Sequence, residues 1–197
     1  MNKVIIITGP SGVGKGTIEK ELFKFKELKL ALSCSMTTRK KRANEVEGVH
    51  YYFSNNEEFS RKIENDEFLE YSSHFGNYYG TLKSEVDQHI LKGFDVIVEV
   101  DTVGAINIIN KFNDENKSDK LISIFITPPN LEVLEERIRT RNSESDDSIK
   151  QRLKKAKKEI KQTSNFKFII INNNLADSVN KIIKAIKGES YELQDKY

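Results

Sequence analysis

The chain has a single cysteine, Cys34, so no disulfide can form within it. Its three histidines, His50, His74 and His89, stand at no ligand-like spacing, and a structural zinc site is not expected. A dominant charge is also missing. Lys and Arg number 32 against 30 Asp and Glu, giving a formal net charge of +2 over 197 residues. That balance argues against a strongly basic nucleic-acid binder, although a local basic cluster stays open. Long hydrophobic runs are absent. Val4–Ile7 and Phe168–Ile171 fall far short of the roughly 18 residues that span a membrane. The first is also too short for a signal-peptide core. The expected compartment is the reducing cytoplasm, with neither membrane nor nucleic acid as partner. Prolines number three, and no Pro-rich linker, repeat or low-complexity tract divides the chain.

What is present is alternation. Short β-branched runs at Lys3–Thr8, Leu30–Ser35, Phe94–Val100, Leu121–Thr127 and Phe166–Asn172 read as buried strands. Between them, helical spacing runs over Thr17–Lys26, Leu82–Lys92, Thr102–Phe112, Leu131–Arg141, Ser148–Gln162 and Leu175–Lys187. This order predicts an α/β fold, a parallel sheet with helices on both faces. The stretch Thr37–Thr81 breaks the rhythm. It is aromatic and polar, with short strands at His50–Phe53 and Glu67–Phe75, a helix at Asn56–Asn65 and a tight turn at Gly76–Gly80. It reads as an insertion on the core. The polar tail at 191–197 reads as poorly ordered.

The strongest motif follows the first strand and opens a helix: Gly9-Pro10-Ser11-Gly12-Val13-Gly14-Lys15-Gly16-Thr17. In that context it is a P-loop. Glycines let the backbone curl around an anion, and successive N–H groups then point at phosphates. Lys15 adds a point charge for the transferring phosphoryl group. Where the general pattern places a Ser or Thr for Mg²⁺, directly after the lysine, this chain has Gly16. No direct ligation of metal by protein is therefore expected, and a water-mediated shell is.

The insertion carries a second constellation. Arg39 and Arg42 lie three apart, followed by Glu45 and Tyr51. Guanidinium forks match phosphate oxygens and a tyrosine hydroxyl adds a donor, which suits a small dianion attached to a polar ring. Glu70, Tyr79 and Thr81 follow close by. Alone, Arg39-Lys40-Lys41-Arg42 would read as a solvated basic loop, and Arg137, Arg139 and Arg141 as partners for Glu135 and Glu136. Cys34 reads as a small packing residue, and the lysines of Lys150–Lys161 as a solvated face.

Taken together these segments resemble the guanylate kinases. The match runs from Val4 to about Ile186. It passes through the P-loop, Ser35–Arg39, Arg42–Phe53, Glu67–Glu70, Gly76–Gly80, Glu99–Asp101 with Gly104, Arg137 with Arg141, and Ile171–Leu175. The resemblance implies in-line phosphoryl transfer from ATP to GMP or dGMP with Mg²⁺, in purine nucleotide metabolism. It implies a P-loop three-layer core at residues 1–36 and 82–190, a GMP-binding insertion at 37–81 and a helical lid at about 137–150. Ser35, Arg39, Arg42 and Tyr51 would grip the GMP phosphate with Tyr79 alongside, and Glu45 would order the arginine loop. Glu70 and Thr81 would read guanine, assisted by Asp101. Lys15, Arg39, Arg137, Arg141 and Arg152 would be the catalytic cations. Asn172 would meet the adenine edge of ATP, with Arg137 also in the ATP site.

Four positions depart from the family pattern. Lys41 stands where a proline is usual, Asn44 where a glycine is, Val103 where glutamine is common, and Asn142 where glycine follows the lid arginine. Asn can take the left-handed conformation that glycine would fill, so the Arg42–Glu45 turn is expected to survive. The rival reading is a catalytically inactive guanylate-kinase-like module that binds partner peptides. Such modules tend to lose the P-loop lysine or the arginines, and this chain keeps them. A homo-oligomer stays open.

Overall fold

The computed structural model describes residues 2–74, 76–140 and 146–189, without the side chain of His74. Nine strands and seven helices are described. In chain order they are β1 (Val4–Thr8), α1 (Lys15–Leu22), β2 (Leu30–Leu32), β3 (Met36–Thr37), β4 (Tyr52–Phe53), α2 (Asn56–Glu64), β5 (Phe68–His74) and β6 (Asn77–Leu82). Then come α3 (Lys83–Leu91), β7 (Asp95–Glu99), α4 (Thr102–Asp114), β8 (Leu121–Thr127), α5 (Leu131–Arg139), α6 (Asp146–Ile160), β9 (Phe168–Ile171) and α7 (Leu175–Lys187).

A five-stranded parallel sheet takes the order β2-β7-β1-β8-β9, flanked by helices. Every residue of β1 and β8 is buried, as central strands covered on both sides require. A second, four-stranded sheet has the order β4-β3-β6-β5. It is mixed: β3 runs parallel to β4, and β6 runs antiparallel to both β3 and β5. The expected α/β class and small mixed insertion are both observed.

The chain folds as two compact units. One comprises Met1–Val4, Lys29–Glu99 and Val103–Leu121. It holds the four-stranded sheet, whose core is Met36, Phe59 and Phe68 with Tyr52, Ile63, Tyr78 and Leu82 packed against it. Phe59 comes from α2, where the Asn55 side chain caps the helix by accepting from the Glu58 N–H at 2.8 Å. Its ring stacks on Phe68 at 4.4 Å and on Tyr78 at 5.4 Å. The other unit comprises Ile5–Leu28, Val100–Thr102 and Ile122–Tyr197. There α7 packs on α1 and β9 through buried Val179, Ile182, Ala185 and Ile186, a helical stripe. Asn174 caps its start, and Gly188 ends it at φ 76°.

Several local expectations are corrected. Gly76–Gly80 is not a tight turn, because β6 already begins at Asn77. Tyr78 and Tyr79 favour a strand, and pairing on both sides outweighs the Gly and Asn turn signal. Gly80 is needed for room: a Cβ there would lie 2.7 Å from the Phe68 ring. The first helix starts two residues early, at Lys15, because Gly14 turns the chain into it at φ 102°. It stops at Leu22, and the chain reverses at Lys29 with φ 47°. β2 ends at Leu32 rather than Ser35. α6 begins at Asp146, with Asp146 and Asp147 favourably placed in its first turn. The tail at 191–197 lies outside the described residues, as does part of the expected lid. Among the described residues no helix is long and apolar enough to cross a membrane.

Phe59→Ala should destabilise the fold by about 3–5 kcal/mol, the range for emptying a fully buried aromatic site. Leu91→Ala, at an 85% exposed position, should change stability by less than about 0.5 kcal/mol. Urea unfolding of both variants checks the contrast, and equal midpoints would show that Phe59 is not core.

Candidate active site

The phosphate loop curls through positive φ at Gly9 (146°), Gly12 (90°) and Gly14 (102°). A side chain at Gly9 would strike the Ile126 carbonyl oxygen at 2.1 Å, and one at Gly14 the Asn172 amide at 2.6 Å. Both glycines are thus required by close approach as well as by φ. The Lys15 ammonium folds back over its own loop, donating to the Gly9 carbonyl at 2.7 Å and the Pro10 carbonyl at 3.4 Å.

The Val13 carbonyl is where the rest of this unit takes hold of the loop. Asn172 Nδ2 donates to it at 2.7 Å, and Arg137 from α5 donates to it at 3.4 Å. Arg137 also donates to the Asn172 carbonyl at 3.0 Å. The other end of the buried Asn172 carboxamide accepts from the Ser178 hydroxyl at 3.0 Å. The side chain of Asn172 therefore ties the phosphate loop at one end of its amide to Ser178 of α7 at the other. Beside it lies a cavity of about 590 Å³ that Gly12, Thr17, Val133, Arg137, Asn172 and Asn173 help to line. Arg152 on α6 donates to the Ser11 hydroxyl at 3.1 Å. Arg139 instead pairs with Glu135 at 2.7 Å and Asp146 at 2.6 Å on the surface. Arg141 lies outside the described residues. Asp101 directly precedes α4, at the C-terminal end of β7's extension. Such strand ends are where α/β sheets hold ligands.

In the other unit the insertion residues converge. Arg39 makes a two-armed pair with Glu45, at 2.6 and 3.0 Å. The same carboxylate accepts from the Arg42 N–H at 2.8 Å. Arg39 lies 5.4 Å from the centre of the Tyr51 ring, which meets Tyr79 edge-on at 6.0 Å. Burial pushes the Tyr51 hydroxyl pKa up, with Tyr79 and Glu99 adding to the rise. Arg42 is exposed, and Ser35 uses its carbonyl to accept from the Tyr52 N–H at 2.9 Å. Asn44 does not take the expected left-handed conformation. Among the described non-glycine residues only Lys29, Asp66 and Asn116 have positive φ. The turn closes through Glu45, whose N–H donates to the Arg42 carbonyl at 3.1 Å.

Glu70 and Thr81 face each other across β5 and β6. Both are buried, and the Thr81 hydroxyl donates to the Glu70 carboxylate at 3.0 Å. A shift of register between Phe68 and Glu70 sets that pairing, as bulges beside functional sites often do. A buried carboxylate is costly unless it is paired or hydrogen-bonded, and the Thr81 hydroxyl supplies one such partner.

The family model described as guanylate kinase matches residues 1–189. The chain belongs to the guanylate kinase family. It is 50% identical over 191 residues to a guanylate kinase of Mycoplasma mobile, covering 97% of this chain and 95% of that one. A guanylate kinase of Mesomycoplasma hyopneumoniae is 50% identical over 189 residues, covering 96% of each. The crystal structure of guanylate kinase from Anaplasma phagocytophilum superposes with a TM-score of 0.71 at 29% identity. That match covers 95% of this chain and 85% of the other. Membership makes the chain an enzyme that phosphorylates GMP from ATP.

Against this guanylate kinase frame, the sequence passed over Glu159 and Ser178. Glu159 is half-buried on α6, and burial, helped by Asp101, raises its carboxyl pKa although Lys155 and Lys15 pull it down. It is the single carboxylate between Ser148 and Gln162, seven residues after Arg152 and on the same helical face. That isolation among lysines was the available signal. Ser178 had none, because its partner Asn172 is fixed only by the fold.

Glu45→Gln should lower stability near neutral pH and matter little in acid. The Arg39 guanidinium first, then the Arg42 N–H, hold the Glu45 carboxyl at about 2 against an ordinary 4.5. A depressed carboxyl contributes above its unfolded value, and that contribution is lost as pH falls through the folded one. The gap in urea midpoint between wild type and variant should therefore close between pH 4.5 and 2. A gap constant across that window would count against the pair.

Proposed function

We propose that the chain transfers the terminal phosphoryl group of ATP to GMP, and to dGMP, in an in-line, Mg²⁺-dependent step of purine nucleotide metabolism. The observation that carries this reading is the buried Glu70–Thr81 pair. A carboxylate accepts from the guanine N1–H and exocyclic amine. Adenine has no N1–H, so it would leave a buried oxygen unpaired at a cost of about 1–3 kcal/mol or more. Residues 37–81 are assigned to GMP. Ser35, Arg39, Arg42 and Tyr51, with Tyr79, take its phosphate, while Glu70 and Thr81, with Asp101, take its base. Residues 1–36 and 82–190 are assigned to the P-loop core, with a lid at about 137–150.

Two mutually repelling anions must be held in line, and the transition state is loose, so positioning and charge neutralisation dominate. The GMP phosphate is itself the nucleophile and needs no strong base. Lys15, Arg39, Arg137, Arg141 and Arg152 are the cations assigned to the transferring group. Closure of lid and insertion would keep water out and prevent hydrolysis of ATP.

The residues present fit Mg²⁺ held with ATP rather than by a protein cage. Among the described residues no group of three or more His, Cys, Asp or Glu could hold a metal ion. Glu159 interacts by charge with both Lys15 and Asp101, which leaves one or two carboxylates near the loop. Mg²⁺ keeps several waters and takes its remaining ligands from such carboxylates and substrate phosphates. Asp101 and Glu159 are the residues that would hold it, through water. When bound, the ion supplies neutralisation of phosphate charge.

A coupled ADP-release assay with ATP and Mg²⁺, offering GMP, dGMP, AMP, UMP and CMP in parallel, tests the reading. Turnover with GMP and dGMP alone is expected. GMP binding without turnover would favour an inactive partner-binding module. Glu70→Gln should cut kcat/KM for GMP at least about a hundredfold while the KM for ATP stays within about twofold. Equal effects on both nucleotides would remove its guanine role. Lys15→Ala should lower kcat at least about a hundredfold with unchanged thermal unfolding, and a near-normal rate would take Lys15 out of the mechanism.

A further inference from the structure

We infer that Glu85, on α3 and outside every segment assigned to substrate, is a positioning residue that sets Ser35 and Tyr51 for the phosphate of GMP. The inference rests on the GMP-site reading above. One Glu85 oxygen, Oε1, accepts from the Cys34 N–H at 3.2 Å. The other, Oε2, accepts from the Tyr52 hydroxyl at 3.0 Å. Cys34 directly precedes Ser35, and Tyr52 directly follows Tyr51. Between these two anchors the Tyr52 N–H donates to the Ser35 carbonyl at 2.9 Å, and Met36 is in register with Tyr52 across β3 and β4. One carboxylate thus ties the segment entering β3 to β4, and Ser35 and Tyr51 stand directly before those two short strands.

The surroundings suit a fixed brace. The Glu85 side chain is 12% exposed, and His89, one turn along α3, lies 3.3 Å from Oε1. Burial first, and then the hydrogen bond to Glu85, push the Tyr52 hydroxyl pKa up to about 12. That hydroxyl therefore stays a donor throughout the working range. Burial and the Glu85 and Glu47 carboxylates push the Cys34 thiol up to about 11, which keeps it neutral beside the brace. The strands need such help. β3 and β4 have two residues each, and a two-residue pairing has few ladder hydrogen bonds with which to fix its own register. The Tyr52 ring packs on the Met36, Phe59 and Phe68 core, so its hydroxyl anchors the sheet to α3 while its ring anchors it to the core. α3 begins two residues after Thr81. The brace thereby links the strand pair carrying the phosphate contacts to the element that follows the guanine reader.

The test is a split of kinetic constants in the intact enzyme. Glu85→Ala should raise the KM for GMP about tenfold and leave the KM for ATP within about twofold. Tyr52→Phe, which removes one arm and keeps the ring, should raise the KM for GMP about threefold. The double variant should be no worse than Glu85→Ala alone, because both remove the same tie. Glu85→Gln should recover to within about threefold of wild type. Its carbonyl can still accept from Cys34 and its amide can donate to the Tyr52 oxygen. Lower thermal stability with both KM values unchanged, or equal rises for ATP and GMP, would overturn the inference. Tyr51→Phe separates the two levels. If Tyr51→Phe raises the KM for GMP and the Glu85 series does not, the brace falls and the site stands. If Tyr51→Phe has no effect, the phosphate grip falls and the brace with it.

Discussion

Everything around the phosphate loop depends on a backbone that cannot hold its own shape. A loop that curls around phosphate needs glycine at successive positions, and glycine brings no side chain with which to pack. The loop's form is therefore imposed from outside. Asn172 and Arg137 fasten on the Val13 carbonyl, Arg152 on the Ser11 hydroxyl, and the Ile126 carbonyl leaves no room for a side chain at Gly9. The donors proposed for ATP share hydrogen bonds with groups that only support the loop, and this holds them in position. Arg137 illustrates the overlap. It is a candidate cation for phosphoryl transfer, and it also ties α5 to both the loop and the Asn172 carbonyl.

The same solution recurs with other chemistry in the unit that carries the mixed sheet. Its candidate phosphate groups flank strands of two residues or sit on an exposed turn, none of which is stiff alone. Glu45 holds Arg39 with both oxygens and the Arg42 N–H as well. Glu85 holds Cys34 and Tyr52. Carboxylates are apt for this, since each accepts several donors at once and its charge strengthens every one of them. Acidic residues beside a proposed phosphate site would otherwise be puzzling. Glu45 and Glu85 direct their charge to the donors they hold.

How much of this was legible beforehand varies with the reach of the interaction. The P-loop was readable because its parts are adjacent in the chain: a buried strand, spaced glycines, a lysine and a helix. The α/β class was readable from periodicity, and so was the insertion, because it broke that periodicity. Glu70 and Thr81 could be named from resemblance, but their bond depends on a register shift that no local pattern reveals. Gly80 looked like a turn residue, yet its reason is the Phe68 ring. Asn44 looked like a left-handed substitute for glycine, yet the Glu45 hydrogen bonds close that turn without it.

The sequence by itself determined the local chemistry. It specified which residues could bend around phosphate, which could pair with an anion, which segments are helical, and that the core strands would be buried and parallel. Those properties reside in single side chains or in short-range spacing, so they survive without knowledge of the fold. Only the tertiary structure decided which groups support others. Asn172 became a brace for the loop, Ser178 its partner, Glu159 a half-buried carboxylate with charge links to Lys15 and Asp101, and Glu85 the tie between two short strands. Apart from Ser178, six residues from Asn172, these roles join residues far apart in sequence, and burial decides how strongly they interact. Neither their separation in space nor their exclusion from water is written in the order of the residues.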